Sequence, residues 1–367
     1  MPDADILELI APLSAFAMLD FCRAVYPDDS AESGEATGDA RWSAASARLA
    51  ASRPELGELS DVTLRTIHAR LLAAYPELGE LIAGPSTVEP ARAMFLRLFY
   101  ELISRSNAAR ETAFMNLGYD CDGDANPPQL DPDDEPNRYS IQLYHQLFTG
   151  LGDAPVAGRD VVEIGCGRGG GSDYVARYLQ PRSVTGVDIT RASIDHCARS
   201  YTAPNLSFMV GNAVDLPLAD ACADVVMNLE SSHCYPSMPR FLAEVRRILR
   251  PGGVFALSDI RHRDRLYRGY EPVATLDAQL LASGLELVSR RDITDAVRRA
   301  IERDGAAQIE RWDRALASTP GLRDDAAAYV RKHFRYAVGL TTDSRETWHE
   351  RFTKRDHLYL SYVLRAP

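Results

Sequence analysis

Residues 161–171, VVEIGCGRGGG, constrain the fold more than any other part of this chain. A short β-branched run passes directly into a cluster of glycines, and a helical pattern begins near Ser172. A strand that ends in a glycine turn and feeds a helix is the opening unit of a doubly wound α/β sheet. In such a sheet, ligands bind outside the carboxyl ends of the strands. The second half of the chain repeats the texture. DVVEI, SVTGVD, LSFMV, ADVVMNLE, GVFALSD, LELVSRRDI and HLYLSYVLR alternate with helix-length segments, so a parallel, doubly wound sheet of seven strands is expected. A helical insertion of roughly 295–355 separates the sixth strand from the seventh, two strands that would otherwise form a hairpin.

The first part has a different period. Val62, Leu64, Ile67, Leu71 and Leu72, and then Met94, Leu96, Leu98, Phe99, Leu102 and Ile103, recur at helical spacing, so residues 1–118 read as helical. The polar break YPDDSAESGEATGDA reads as a loop, and DCDGDANPPQLDPDDEPNRYS as an acidic linker. A calcium loop is the sharper alternative for the linker, but the EF-hand ligand spacing and terminal Glu are missing. YSIQLYHQLFTGL is an amphipathic helix. Two regions follow: 1–138, helical with the linker, and 139–367, carrying the sheet.

Charge and cysteine usage exclude several functions. The net charge of −11 over 367 residues argues against a nucleic-acid partner and gives no attraction to anionic membranes. No apolar run has the length of a membrane span, and MPDADILELIAPLSAF lacks the basic start of a signal peptide. Cys22, Cys121, Cys166, Cys197, Cys222 and Cys234 form no CxxC pair, so reduced thiols in a cytoplasmic protein are expected rather than a zinc site.

The glycine spacing fits a dinucleotide loop, but Glu163 does not, because a carboxylate there would repel a pyrophosphate. It would favour the sulfonium and α-ammonium groups of S-adenosylmethionine. Asp188, at the end of the second strand, suits ribose hydroxyls in either ligand. Asn212 and Ala213, at the exit of the third, offer an amide and a backbone N–H to an adenine edge. The joint spacing favours S-adenosylmethionine; a nicotinamide oxidoreductase is the competing enzyme class.

VVEIGCGRGGGSDYV, VTGVDIT, GNAVDLPLADACADVV and FLAEVRRILRPGGVFALSDI resemble the class I S-adenosylmethionine-dependent methyltransferases over about 139–262. GCGRGGG, NLESSHCYP and FLAEVRRILRPGG, with AFMNLGYD and NRYSIQLYHQL, are similar to a narrower group. These are the O-methyltransferases associated with polyketide synthases and the mycobacterial enzymes that methylate lipid and phenolglycolipid hydroxyls. The resemblance implies a seven-stranded Rossmann-like sheet, an N-terminal helical region covering the active site, and a role in secondary metabolism such as antibiotic biosynthesis. The implied acceptor is a polyketide-like or lipid-like small molecule, free or tethered to a carrier protein. The expected cofactor set is Glu163, Gly165, Cys166, Gly167, Asp188, Ile189, Asn212, Ala213 and Asn228. The resemblance alone adds Arg138 and Tyr139. Asn212 replaces the Asp usual in the family, and its amide oxygen can still meet adenine.

Methyl transfer to an alcohol needs a base for its proton. His233, in NLESSHCYP at the end of the fourth strand, is the candidate; the alternative is a packing or capping histidine. Glu230 is expected to orient the imidazole or bind the methionine end of the cofactor, and Tyr235 to line or hydrogen-bond the acceptor. Cys234 reads as a small buried filler. Asp259 has two readings: a magnesium-binding pair with Glu230, or a structural carboxylate paired with Arg261. The second is preferred and no metal is expected. His262 has equal claim to being a surface residue. The insertion offers His333, Phe334, Arg335, Tyr336, Trp348, His349 and Phe352, where aromatics at helical spacing are more often core than pocket. Other classes stay open: a cyclase or other reaction on the same fold, transfer to nitrogen or sulfur, or a non-catalytic protein with a degenerate site. Nothing in the sequence fixes the oligomeric state.

Overall fold

A computed structural model describes residues 113–122, 127–149, 151, 156–266, 271–317 and 347–367, with positions 47 and 69. All its elements lie in one compact unit, Tyr100–Pro320 with Arg331–Pro367. In chain order they are α1 (Arg138–Thr149), β1 (Asp160–Ile164), α2 (Gly170–Tyr178), β2 (Ser183–Asp188), α3 (Arg191–Ser200), β3 (Leu206–Val210), β4 (Ala223–Leu229), α4 (Met238–Ile248), β5 (Leu249–His262), α5 (Val273–Ala282), β6 (Glu286–Asp292), α6 (Thr294–Ala317), α7 (Trp348–Lys354) and β7 (His357–Arg365).

The strands form one sheet in the order β3-β2-β1-β4-β5-β7-β6. β1 to β5 are parallel, and β7 runs antiparallel between β5 and β6. The order reverses at β1 and β4, and the carboxyl ends beside that switch frame the ligand crevice of such a sheet. All seven anticipated strands are present. β5 runs further than its apolar run, and the extra residues carry Arg261 and His262.

Side chains on a strand alternate between faces. Val161 and Val225 pack in the core that includes Leu143, Tyr174, Val297 and Phe352, whereas Val162, Ile164 and Val226 pack with Phe241, Leu242, Val245 and Leu276. The α4 stripe Phe241, Leu242, Val245 and Ile248 is buried, and the Ser237 side chain caps its start by accepting from the Arg240 N–H. A capping box of Thr347 and Glu350 starts α7.

The end of the expected N-terminal helix is different. Residues 113–119 are irregular. Asn116 Oδ1 accepts from the Gly118 N–H at 3.0 Å, Gly118 has φ +80, and the Tyr119 N–H goes to the Tyr139 carbonyl at 2.9 Å. These bonds spend the segment's donors away from a helical ladder. Most of 1–112 lies outside the described residues. Asp120 of the acidic linker is clasped by Arg299 and Arg303 of α6 at 2.9 and 3.0 Å. Among the described residues, no helix is long and apolar enough to cross a membrane.

Candidate active site

The glycine turn is held by β2. The Gly165 and Cys166 N–H groups donate to the Val187 carbonyl, and the Gly167 N–H donates to Asp188 Oδ2 at 3.0 Å. Asp188 Oδ1 accepts from the Thr190 N–H at 2.8 Å, across Ile189. Gly165 (φ +78) and Gly167 (φ +52) are left-handed, a conformation that favours glycine. A Cβ at Gly165 would meet Ser231 Oγ at 2.4 Å and Tyr235 Oη at 2.7 Å; one at Gly167 would meet Met115 Cε at 2.6 Å. The irregular segment 113–119 thus crosses over the turn. Cys166 is buried beside Cys197, and burial pushes its thiol well up.

Glu163 lies on β1, just before the turn. Strand parity puts it on the α1 and α2 face of β1 with Val161. There it is 1 % exposed, with Tyr144 Oη donating to Oε1 at 2.9 Å and Ser172 Oγ donating to Oε2 at 2.5 Å. Burial pushes its carboxyl up to about 7. It ties the start of α2 to the sheet from beneath the loop.

Asn212 closes a turn: Oδ1 accepts from the Val214 N–H at 3.2 Å and its carbonyl from the Asp215 N–H at 3.0 Å. One lone pair of the oxygen expected to face adenine is therefore engaged. Ala213 is buried in the core beside it. The Asn228 amide N–H₂ donates to the Ile164 carbonyl, Ser231 Oγ and Tyr235 Oη at 2.8, 2.8 and 2.9 Å. Asn228 and Ser231 therefore fix the Tyr235 hydroxyl against the glycine turn. Arg138 pairs with Glu135 and the Pro128 carbonyl. Tyr139 joins Tyr119 through its carbonyl and packs on Gly118. The Arg138 contacts lie in the linker, and those of Tyr139 reach the segment 113–119.

At the end of β4 the backbone turns sharply, with Glu230 at φ +48, an outlier of the kind that clusters at functional sites. Glu230 does not orient His233. Its Oε1 accepts from the Leu117 N–H at 3.0 Å and from Tyr359 Oη at 2.7 Å, and burial pushes it up to about 7. The partner of His233 is Asp259 on β5. His233 Nδ1 is 2.7 Å from Asp259 Oδ1, and the His233 N–H donates to Oδ2 at 2.9 Å. Asp259 also accepts from Ser232 Oγ at 2.5 Å and the Ile260 N–H at 2.8 Å, and pairs with Arg261 at 3.1 Å. Burial alone would raise this carboxyl, but the charges of His233 and Arg261 hold it well below the usual range. An Nδ1–H donated to the carboxylate leaves the basic lone pair on Nε2.

His262 is buried, stacked edge-on against His357 at 4.8 Å, rather than at the surface. Trp348 and Phe352 are core, and His349 pairs with Glu302 at 2.7 Å. His333, Phe334, Arg335 and Tyr336 lie outside the described residues. Cys234 is partly exposed rather than buried. Asp259, Tyr144 and Tyr359 complete the cluster from distant parts of the sequence, and Ser172 and Ser231 from beside the motifs themselves. Only Asp259 carried a signal, as a carboxylate ending a strand.

These residues fit S-adenosylmethionine. Asn228 Oδ1 is a buried acceptor with no partner, suited to an ammonium N–H. Gly165 and Gly167 form a cradle without side chains, and Asp188 is an acceptor at the strand end. Neither Glu163 nor Glu230 has a cationic partner within ion-pair distance among the described residues.

A family profile described as "Methyltransferase domain" matches residues 162–257. The chain is 39 % identical over 246 residues to phthiotriol/phenolphthiotriol dimycocerosates methyltransferase 1 of Mycobacterium ulcerans, covering 66 % of this chain and 85 % of that one. It is 39 % identical over 244 residues to a fatty-acid O-methyltransferase of Mycolicibacterium smegmatis, covering 64 % and 86 %. The crystal structure of the (4+2)-cyclase SpnF is similar in fold, with TM-score 0.54 at 18 % identity over 74 % of this chain and 95 % of that one. By this likeness, and by the sheet and glycine turn that frame the site, the chain is a methyltransferase and belongs to the class I S-adenosylmethionine-dependent family that includes the mycobacterial lipid methyltransferases.

Proposed function

We propose that this enzyme methylates a hydroxyl of a lipid-like or polyketide-like acceptor, with His233 as the general base. The observation that carries the reading is the His233–Asp259 pair at 2.7 Å beside the switch point. The names of the similar proteins support a lipid acceptor, and one of them specifies oxygen. The bound cofactor supplies a methyl group on a positively charged sulfur. The chain's own residues do the rest. Asp259 fixes the ring and its tautomer, so Nε2 accepts the hydroxyl proton and the acceptor oxygen keeps the electron pair that forms the new bond. Asp259 then stabilises the imidazolium. Asn228, Gly165, Cys166, Gly167, Asp188, Ile189, Asn212 and Ala213 bind and orient the cofactor, with Glu163 supporting the loop from below.

The test is intact mass of a 3-hydroxyacyl carrier protein and of a free 3-hydroxy fatty acid after incubation with enzyme and S-adenosylmethionine. A gain of one methyl on either is expected, with His233→Ala slowed by about 10²–10⁴-fold. Undiminished turnover in that variant would remove His233 as base. No gain on either acceptor, with S-adenosylhomocysteine still bound, would sink the hydroxy-acyl assignment.

A further inference from the structure

The ring of Ser232, His233, Asp259 and Arg261 contains a cation that proton transfer does not itself require. Arg261 follows Asp259 by two positions on β5, so both side chains leave the same face. The Arg261 side chain is 2 % exposed and that of Asp259 0 %. Arg261 Nη1 donates to the Ile260 carbonyl at 2.7 Å and lies 3.1 Å from Asp259 Oδ2. Nη2 donates to Ser232 Oγ at 2.8 Å, while that hydroxyl donates to the same carboxylate oxygen at 2.5 Å. Nε is buried without a hydrogen-bond partner. Burying a guanidinium this deeply is costly unless its charge is paired, and here the pairing partner is Asp259.

The charge has an evident target. The His233 side chain is 10 % exposed, with a buried carboxylate 2.7 Å from its ring. Such a carboxylate, taken alone, favours the imidazolium. An imidazolium has both nitrogens protonated and cannot take a proton from an alcohol. A cation on the carboxylate's other oxygen opposes that effect. Among the described residues, other ionisable groups near the ring are Glu230 at the end of β4, whose carboxyl a charge on His233 would lower, Tyr359 on β7, hydrogen-bonded to Glu230, and Cys234 in the turn itself. None of these carries positive charge.

We propose that Arg261 keeps His233 in its neutral, proton-accepting form by offsetting the charge of Asp259 from its second oxygen. The inference rests on His233 being the base. Arg261 touches no reacting atom; it is a positioning residue acting through Asp259. A purely structural arginine would affect stability or overall rate without changing where the imidazole titrates.

The experiment is an NMR titration of the His233 ring signal in the full chain, assigned by its loss in His233→Gln. Arg261→Met moves the titration midpoint to higher pH by about one unit, the size of effect expected from one nearby charge. Arg261→Lys, which keeps the charge, leaves the midpoint in place. The acid limb of kcat/KM moves in the same direction in the Met variant. Arg261→Gln, which can still bond Ser232, carries the same expectation should the Met variant not fold. An unmoved midpoint in a folded neutral variant overturns the proposal, as does an equal move in the Lys variant. Full turnover in His233→Gln overturns instead the assignment of the base, whatever the titration shows.

Discussion

The two sides of the crevice handle charge in opposite ways. On the glycine-turn side, Glu163 is held by neutral donors among the described residues, the hydroxyls of Tyr144 and Ser172. On the β4–β5 side, Asp259 is matched closely by His233 and Arg261. Uncompensated negative charge suits a cationic ligand, whereas a compensated pair suits a proton that must arrive and leave. The difference implies that binding and proton transfer can be perturbed separately.

The largest separation is expected from Gly165→Val. The new side chain would collide with Ser231 and Tyr235 at a left-handed backbone position. Calorimetry should show S-adenosylhomocysteine affinity falling by about tenfold or more, a loss of at least 1.4 kcal/mol, while the His233 titration stays in place. A variant with intact affinity would break the comparison on its binding side.

A smaller effect is expected from Glu163→Gln. Glu163 is neutral below about 7 and ionised above it. Preference for S-adenosylmethionine over S-adenosylhomocysteine should therefore rise with pH through that point, because only the former has a sulfonium. Glu163→Gln should flatten the rise by about fivefold, the worth of roughly 1 kcal/mol of screened attraction. Glu230, also near 7, accounts for what remains. An unchanged pH profile would show that the buried carboxylate is not felt by the ligand.

The smallest effect compares one histidine from each side. Burial pushes His196 on α3 and His357 on β7 down to about 3 from an ordinary 6.5. The unfolded chain takes up these protons as pH falls through 6.5, and the folded chain not until about 3. Their contribution to stability is complete above 6.5 and is lost as pH falls toward 3. His196→Gln and His357→Gln should each shrink the fall in Tm between about pH 8 and about pH 4.5 by about 2–4 °C. An unshrunk fall would mean that these rings do not take up a proton on unfolding.

The strands and the glycine turn were legible in the sequence because alternation and turn chemistry are local. The helical patterns of α1, α6 and α7 were legible for the same reason. The partners of the polar residues were not. His233 and Asp259 meet only because β5 lies beside β4, and nothing near NLESSHCYP distinguishes Asp259 from Glu230 as the partner. For Glu163 the sequence shows a carboxylate near the loop but not its partners, because Tyr144, one of the two hydroxyls that hold it, lies on α1. The segment 113–119 carried a helical pattern, and its breakage at Asn116 and Gly118 is enforced by Tyr139, Ala296 and Glu230, all distant in sequence. Tyr235 illustrates the limit of position alone: its place at the carboxyl edge of the sheet was visible, and its bonds to Asn228 and Ser231 were not.

The antiparallel strand between β5 and β6 has a consequence for biosynthesis. A nascent chain that has emerged only as far as β6 can pair β1 through β5, but β6 has no neighbour until β7 follows. Until then β5 presents an open edge, the kind of surface that recruits strands from other molecules. The same late strand delivers Tyr359 to Glu230. One strand therefore completes both the sheet's margin and the Glu230 contact, and a chain stalled or clipped before it would lack both and be prone to aggregate.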